Sequence, residues 1–207
     1  MSSDFDTAAR TALTNCIREI EKRTDAELVL VVRARSHSYA GANYLFGALL
    51  AFVGLNFLLF SPITFHQIWV PIDIALLFVL GAYVSSRSNA IRRWLTRRSV
   101  RNKAARAGAA AMFYEAGIAN TKAELGVLVY LSLLERRLEL IADRGILKAV
   151  PALEWNQALF ELRQAGKEPR PETLTAGLEK LGLLLAQYLP ASADNPNELP
   201  DAPRFEL

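Results

Sequence analysis

The spacing of apolar positions changes several times along the chain, and each change marks an element. In residues 4–23, Phe5, Ala9, Leu13, Ile17 and Ile20 recur at helical spacing, which predicts an amphipathic helix with Cys16 beside its apolar face. Thr24 and Asp25 end it, and residues 27–34, ELVLVVRA, form a first strand. The alternation of polar and apolar positions then stops. From Ser36 to Ile72 the only ionisable side chains are His37, His66 and tyrosines, and after Asp73 nothing is charged until Arg87. Two apolar segments result, residues 44–60 and 68–84, separated by SPITFHQ with Pro62 as the breaker.

At about 1.5 Å per residue each segment reaches roughly 25 Å, and Gly41 to Asn43 and Ser85 extend them towards the roughly 30 Å of a bilayer's hydrocarbon core. Neither carries the polar stripe at helical period that a core helix of a small soluble domain keeps. Tyr39, Tyr44, Trp69, Tyr83 and Trp94 lie near the ends, as in an aromatic belt. The expectation is a transmembrane helical hairpin over residues 37–87, with Gly47, Gly54, Ala48 and Ala51 letting the two spans approach closely.

Beyond it, residues 89–118 predict one long helix or two joined ones, rich in arginine and then in alanine, with Gly117 and Asn120 as stops. Residues 126–134, GVLVYLSLL, have the continuous apolar character of a strand covered on both faces. Glu135 and Arg136 turn it, and residues 137–142, RLELIA, alternate as a hairpin partner does. Pro151 precedes a helix over 152–164, and a second helix over 172–189 lines up Leu174, Leu178, Leu181, Leu185 and Tyr188. The tail, residues 191–207, is rich in Pro, Asp and Asn and is expected to be disordered. A strand, crossover, strand order implies a parallel pair with a right-handed connection. The expected fold class is α/β: a small domain with helices on both faces of a three- or four-stranded sheet, its halves at 1–36 and 88–190, split by the hairpin.

The 207 residues leave room for one modest domain plus membrane spans. Cys16 is the only cysteine, which excludes an internal disulfide and a cysteine-based zinc site and fits a reducing compartment. The N-terminal residues lack the basic and apolar regions of a signal peptide, so no cleavage is expected. Charge is the more informative feature. Arg87, Arg92, Arg93, Arg97, Arg98, Arg101, Lys103 and Arg106 form a basic block, no acid occurs between Asp73 and Glu115, and the net charge of +3 therefore hides an acidic remainder. Arg33 and Arg35 flank the other end of the hairpin, whose connecting loop has no Lys or Arg, so the positive-inside rule places both termini in the cytoplasm of a multi-pass inner-membrane protein.

IREIEKRTDAELVLVV (17–32), GIANTKAELGVLVYLSLLERRLELIADRGI (117–146) and LTAGLEKLGLLLAQYLP (174–190) resemble the TPM domain family. More narrowly, they resemble a bacterial membrane-protein branch in which two transmembrane helices interrupt the domain. The resemblance implies a Rossmann-like three-layer fold with a mixed sheet. It also implies acidic residues near strand ends, since some members are described as acid phosphatases or divalent-cation binders and others as accessory proteins.

Under that resemblance Asp143 and Glu135 are the candidate ligands for Ca2+ or Mg2+, with Glu27 or Asp25 as further oxygen donors, because a hard cation needs about six oxygens. Asp143-Arg144-Gly145 also fits a plain loop with Gly at a positive φ. Arg136, Arg137 and Arg144 are candidate phosphate or anion contacts, although no cysteine-based phosphatase signature or Gly-rich phosphate cradle accompanies them. Arg92, Arg93, Arg97 and Arg98 are expected at anionic lipid headgroups, each contributing about 1 kcal/mol. Nucleic acid is not expected, for want of a motif. Asp73, about one turn inside the second span, fits an interfacial position better than a transport pathway. The expected function is a membrane-bound binding or accessory module for an unknown protein partner; the alternative is a cation-dependent phosphatase-like hydrolase.

Overall fold

The computed structural model describes residues 5–62, 66–192 and 198–206. In chain order it contains α1 (Thr7–Glu21), β1 (Glu27–Arg33), α2 (Ala40–Phe60), α3 (Val70–Arg87), α4 (Asn89–Leu95), α5 (Arg98–Glu115), β2 (Gly126–Ser132), β3 (Arg137–Ala142), α6 (Arg144–Ala149), α7 (Ala152–Ala165), α8 (Pro171–Tyr188) and β4 (Arg204–Glu206). They form two compact units, one from the chain up to His37 and from Asn102 onward, the other from Ser38–Arg101.

The first unit is built on a four-stranded mixed sheet in the order β3-β2-β1-β4. β1 pairs in parallel with β2 from Glu27↔Gly126 to Arg33↔Ser132, and β2 pairs antiparallel with β3 from Val127↔Ala142 to Ser132↔Arg137. Side chains of β1 alternate between two cores, as the strand's period of two requires. Leu28, Leu30 and Val32 meet Leu13, Ile17 and Ile20 of α1, Leu162 of α7 and the leucine stripe of α8. Val29 and Val31 meet Ala109, Met112 and Phe113 of α5. With helices on both faces, a strand with no polar residue between Glu27 and Arg33 is the stable choice. The N-terminus of α1 is capped by Asp6, whose Oδ1 accepts the Ala9 N–H at 2.8 Å.

The structure departs from the sequence pattern in two places and decides between the alternatives in a third: the basic and alanine-rich stretch is two helices, broken at Thr96, whose backbone is extended. The tail expected to be disordered supplies β4, parallel to β1 from Val31↔Arg204 to Arg33↔Glu206; residues 193–197 of that tail lie outside the described residues. An open edge of a buried strand offers unpaired backbone groups, which a polar segment with one aromatic residue satisfies. Finally, Asp143 caps the short helix α6 instead of standing in a loop, and Gly145 does not adopt a positive φ. Glycine is required at 145 by space: a Cβ there lies 2.7 Å from the Glu124 carbonyl oxygen and 2.8 Å from Leu125 Cδ2.

The second unit contains α2 and α3, 21 and 18 residues long, both long and apolar enough to cross a membrane. Their contact is set by small residues. A Cβ on Gly47 would lie 2.6 Å from the Phe78 carbonyl oxygen, and one on Gly81 would lie 2.9 Å from Gly47 Cα, so the backbones touch there. Gly54 faces Leu77 and Ala51 is buried, whereas Ala48 points outward. The outer faces carry Phe52, Phe57, Phe60, Leu76 and Val79, all more than 60% exposed. A polar clasp joins the ends of the unit: Asn43 Oδ1 accepts from Ser85 Oγ and from Arg92 Nε, each at 3.1 Å.

Gly81→Leu is expected to destabilise the helix pair by about 1–3 kcal/mol through overpacking, read as loss of helicity during denaturant titration of the detergent-solubilised protein. Gly41→Leu, where a Cβ meets nothing within 4 Å, is the control and should change stability by less than about 0.5 kcal/mol.

Candidate functional site

The two carboxylates expected to share a cation are separated by the hairpin that carries them. Glu135 lies in the turn after β2, whereas Asp143 follows β3, and its N–H donates to the Gly126 carbonyl at the start of β2. Six residues of strand at about 3.3 Å each put roughly 20 Å between the two. Antiparallel pairing is the cause: it returns β3 to the end of the sheet where β2 began. Arg136 and Arg137 stay with Glu135 while Arg144 goes with Asp143, so the three candidate anion contacts are divided in the same way.

Each candidate then has its own local partners. Glu135 is buried; its Oε1 accepts the Ser36 N–H at 2.9 Å and its Oε2 accepts the Ser132 hydroxyl. Ser36 Oγ in turn donates to Ser132 Oγ at 2.8 Å and lies 2.9 Å from the Tyr130 hydroxyl. This network sits at the carboxyl ends of β1 and β2 and ties the chain leaving β1 to the turn after β2. Sequence reasoning missed it, although a signal was present: Tyr130 and Ser132 are polar at i and i+2 in a strand otherwise made of aliphatic residues, so they share one face. Gly108 of α5 makes room for it, since a Cβ there would lie 2.7 Å from the Tyr130 hydroxyl oxygen.

Arg137 points along β3 to Glu139, which is 4% exposed and accepts Arg137 Nε at 2.8 Å and Arg163 Nη2 of α7 at 2.6 Å. Burial pushes the Glu139 carboxyl up, but the hydrogen bonds and charges of the two guanidinium groups outweigh it and hold the carboxyl below its ordinary value. Arg137 is therefore committed to Glu139 within β3, and it is Arg163 that fastens α7 to the sheet. Arg136 and Arg144 are exposed, and Arg136 has a positive φ of 50° at the turn.

At the opposite end, Asp143 Oδ1 accepts the Arg144 N–H at 2.7 Å, and its Oδ2 is enclosed without a hydrogen-bond partner. The other acids of that end serve the backbone. Glu27 accepts the N–H groups of Glu198 at 3.3 Å and Leu199 at 3.2 Å; Asp25 Oδ1 accepts the Ser192 N–H at 2.8 Å. Glu21 Oε1 accepts the Leu28 N–H at 3.0 Å, on the stretch of β1 that β4 does not reach. Burial, the opposing Leu28 N–H, and the charges of Glu27 and Asp201 leave the Glu21 carboxyl pushed up to about 8. Among the described residues no group of three or more His, Cys, Asp or Glu side chains is arranged to hold a metal ion.

The basic residues of the second unit also divide. Arg92, expected at lipid headgroups, is 7% exposed and belongs to the Asn43 and Ser85 clasp. Arg93 is half-buried, and Arg97 and Arg98 are exposed. Asp73 lies in the first turn of α3, beside an apolar groove of about 510 Å³ lined by Gly54, Phe57, Leu58, Leu76, Leu77 and Leu80.

Comparison with known proteins bears on the fold. No protein-family model matches the chain, and no curated protein matches it. Among solved structures, the NMR structure of the BA42 protein from the psychrophilic bacterium Bizionia argentinensis is similar, with a TM-score of 0.58 and 18% sequence identity over 97% of this chain and 94% of that one. At that identity the likeness is one of fold.

Two predictions follow from the buried carboxylates. Glu139→Ala leaves two guanidinium groups unpaired and should cost on the order of 2–3 kcal/mol, less than the roughly 3–5 kcal/mol of a fully buried pair because both arginines reach water; thermal unfolding of the purified protein measures it. For Glu21 the folded value of about 8 lies above the ordinary 4.5, so its contribution to stability is complete below pH 4.5 and is lost as the pH rises to 8. Thermal midpoints should therefore fall over that window by more in the native chain than in Glu21→Gln.

Proposed function

We propose that the chain is an integral inner-membrane protein whose TPM-like α/β domain sits on the cytoplasmic surface, is split by the α2–α3 transmembrane hairpin, and acts as a binding or accessory module. The observation that carries this reading is the parallel pairing of β1 with β2. Strands on either side of two apolar helices can share a sheet only where an even number of crossings returns the chain to its starting side. The exposed aromatic and aliphatic faces of α2 and α3 suit a lipid environment, since so large an apolar surface is rare on a soluble monomer. The basic residues after α3 and the uncharged connecting loop favour cytoplasmic termini, with Arg97 and Arg98 as headgroup contacts.

A binding role is favoured over hydrolysis by what the carboxylates do. Glu135, Glu139, Glu27 and Asp25 are engaged with backbone or guanidinium groups. The cation-dependent hydrolase needs Asp143 and Glu135 to act together, which the hairpin register opposes. The α/β fold shared with BA42 is compatible with either activity and decides neither.

Topology is tested by cysteine labelling in a Cys16→Ser background. With a membrane-impermeant maleimide on intact spheroplasts, Gln67→Cys should be modified, whereas Lys103→Cys and Glu179→Cys should react only after permeabilisation. Labelling of all three from outside, or protection of Gln67→Cys, overturns the reading. Phosphatase turnover that requires calcium or magnesium and disappears in Asp143→Ala would overturn the preference for a binding role.

A further inference from the structure

The sheet edge beside β1 is filled by the chain's own last strand, and the contacts there amount to a recognition pattern. Ala34 N–H donates to the Glu206 carbonyl at 2.9 Å, completing the ladder of Arg204, Phe205 and Glu206 against Val31, Val32 and Arg33. Phe205 lies against Phe5, ring centroids 5.8 Å apart, and the Arg10 guanidinium stands 4.5 Å from the Phe205 ring centroid on its face. The Glu206 carboxylate pairs with Arg33. Four residues before the aromatic, Asp201 pairs with Arg18 at 3.0 Å, and further back the Glu27 carboxylate receives the N–H groups of Glu198 and Leu199.

Everything on the receiving side belongs to the folded core or to α1. β1 is buried on both faces and α1 is held by Leu13, Ile17 and Ile20, so the edge keeps its shape when the last strand leaves. The strand itself is only three residues long, partly exposed, and held by few ladder bonds, a marginal pairing by itself. Pro200 and Pro203 keep the arriving segment extended and lower the entropy lost on docking. Main-chain bonds supply affinity and alternate side chains supply selectivity, which is the physics of strand addition to an open edge.

We propose that the β1 edge is a docking site for an extended peptide segment of a partner protein, with an acid, an aromatic residue four positions later and a second acid next to it, and that residues 198–206 occupy it as an intramolecular competitor. The proposal rests on the binding-module reading and supplies its partner class. Arg18, Arg10 and Arg33 recognise the acid, the ring and the second acid in turn. Exchange of the strand between two copies of the chain is disfavoured, because it remakes the same bonds while losing the high effective concentration that the tether provides. A partner segment meets that same tether, so its apparent affinity is reduced by the fraction of time the edge is open.

The test uses the full chain in lipid nanodiscs and a fluorescent nonapeptide of sequence ELPDAPRFE, residues 198–206, with fluorescence anisotropy as the readout. Phe205→Asp, which unseats the internal strand, is expected to bind the peptide at least ten times more tightly than the native chain. Adding Arg10→Ala should weaken that binding about tenfold, and a scrambled peptide should not bind. Glu206→Arg, repelled by Arg33, is the second variant and has the same expected result if Phe205→Asp does not fold. Absence of binding to a folded variant, equal binding by variant and native chain, or dimerisation of the native chain through strand exchange overturns the proposal. Alkaline carbonate extraction of membranes from the expressing cells, before reconstitution, separates the two levels: an inserted chain that binds no peptide removes the docking site alone, whereas a chain released from the membrane removes the reading beneath it.

Discussion

The parallel register between β1 and β2 is the constraint on which the rest of the structure depends. Seven residue pairs join segments that the whole second unit separates in sequence, from Glu27↔Gly126 to Arg33↔Ser132. Loop-closure entropy grows only with the logarithm of loop length, so a large insertion costs little more than a modest one. What the insertion must do is bring its own ends together. Asn43 does this by accepting from Ser85 and Arg92, which joins the start of α2 to the end of α3 and to α4. Gly47 and Gly81 let the helices between them run in backbone contact.

The same register decides which polar groups meet. Because β1 and β2 run in parallel, their carboxyl ends lie together, and Ser36, Tyr130, Ser132 and Glu135 close into one network there. Because β3 runs back, Asp143 is delivered to the other end. Carboxylates near strand ends are thus distributed by topology, and most of them are consumed in holding backbone N–H groups: Glu21 holds Leu28 of β1, while Glu27 and Asp25 hold the tail at Glu198, Leu199 and Ser192. A buried donor such as the Leu28 N–H costs about 1–3 kcal/mol when left without a partner, so Glu21 has structural work that is independent of any ligand.

Much of the architecture was legible from local pattern. Helical spacing of apolar residues located α1 and α8, continuous aliphatic runs located β1 and β2, and alternation located β3, because each is a consequence of side-chain direction within a single element. The uncharged stretch fixed the length and apolar character of α2 and α3 to within a few residues for the same reason. Even the parallel sense of β1 and β2 was deducible, since a strand followed by a long crossover returns in the same direction.

The pairing of residues far apart in sequence was left to the tertiary structure. Composition marked the tail as unstructured, yet Phe205 finds Phe5 and Arg10, and Glu206 finds Arg33, only because β1 presents an open edge. Arg92 counted as one more surface charge until Asn43 and Ser85 enclosed it. The separation of Glu135 from Asp143, by contrast, already followed from the hairpin that residues 126–142 predict, and the antiparallel register bears it out. Sequence by itself determined which elements form, because their periodicity is local; the tertiary structure decided which side chains act together, because proximity depends on strand order and direction, which no single segment encodes.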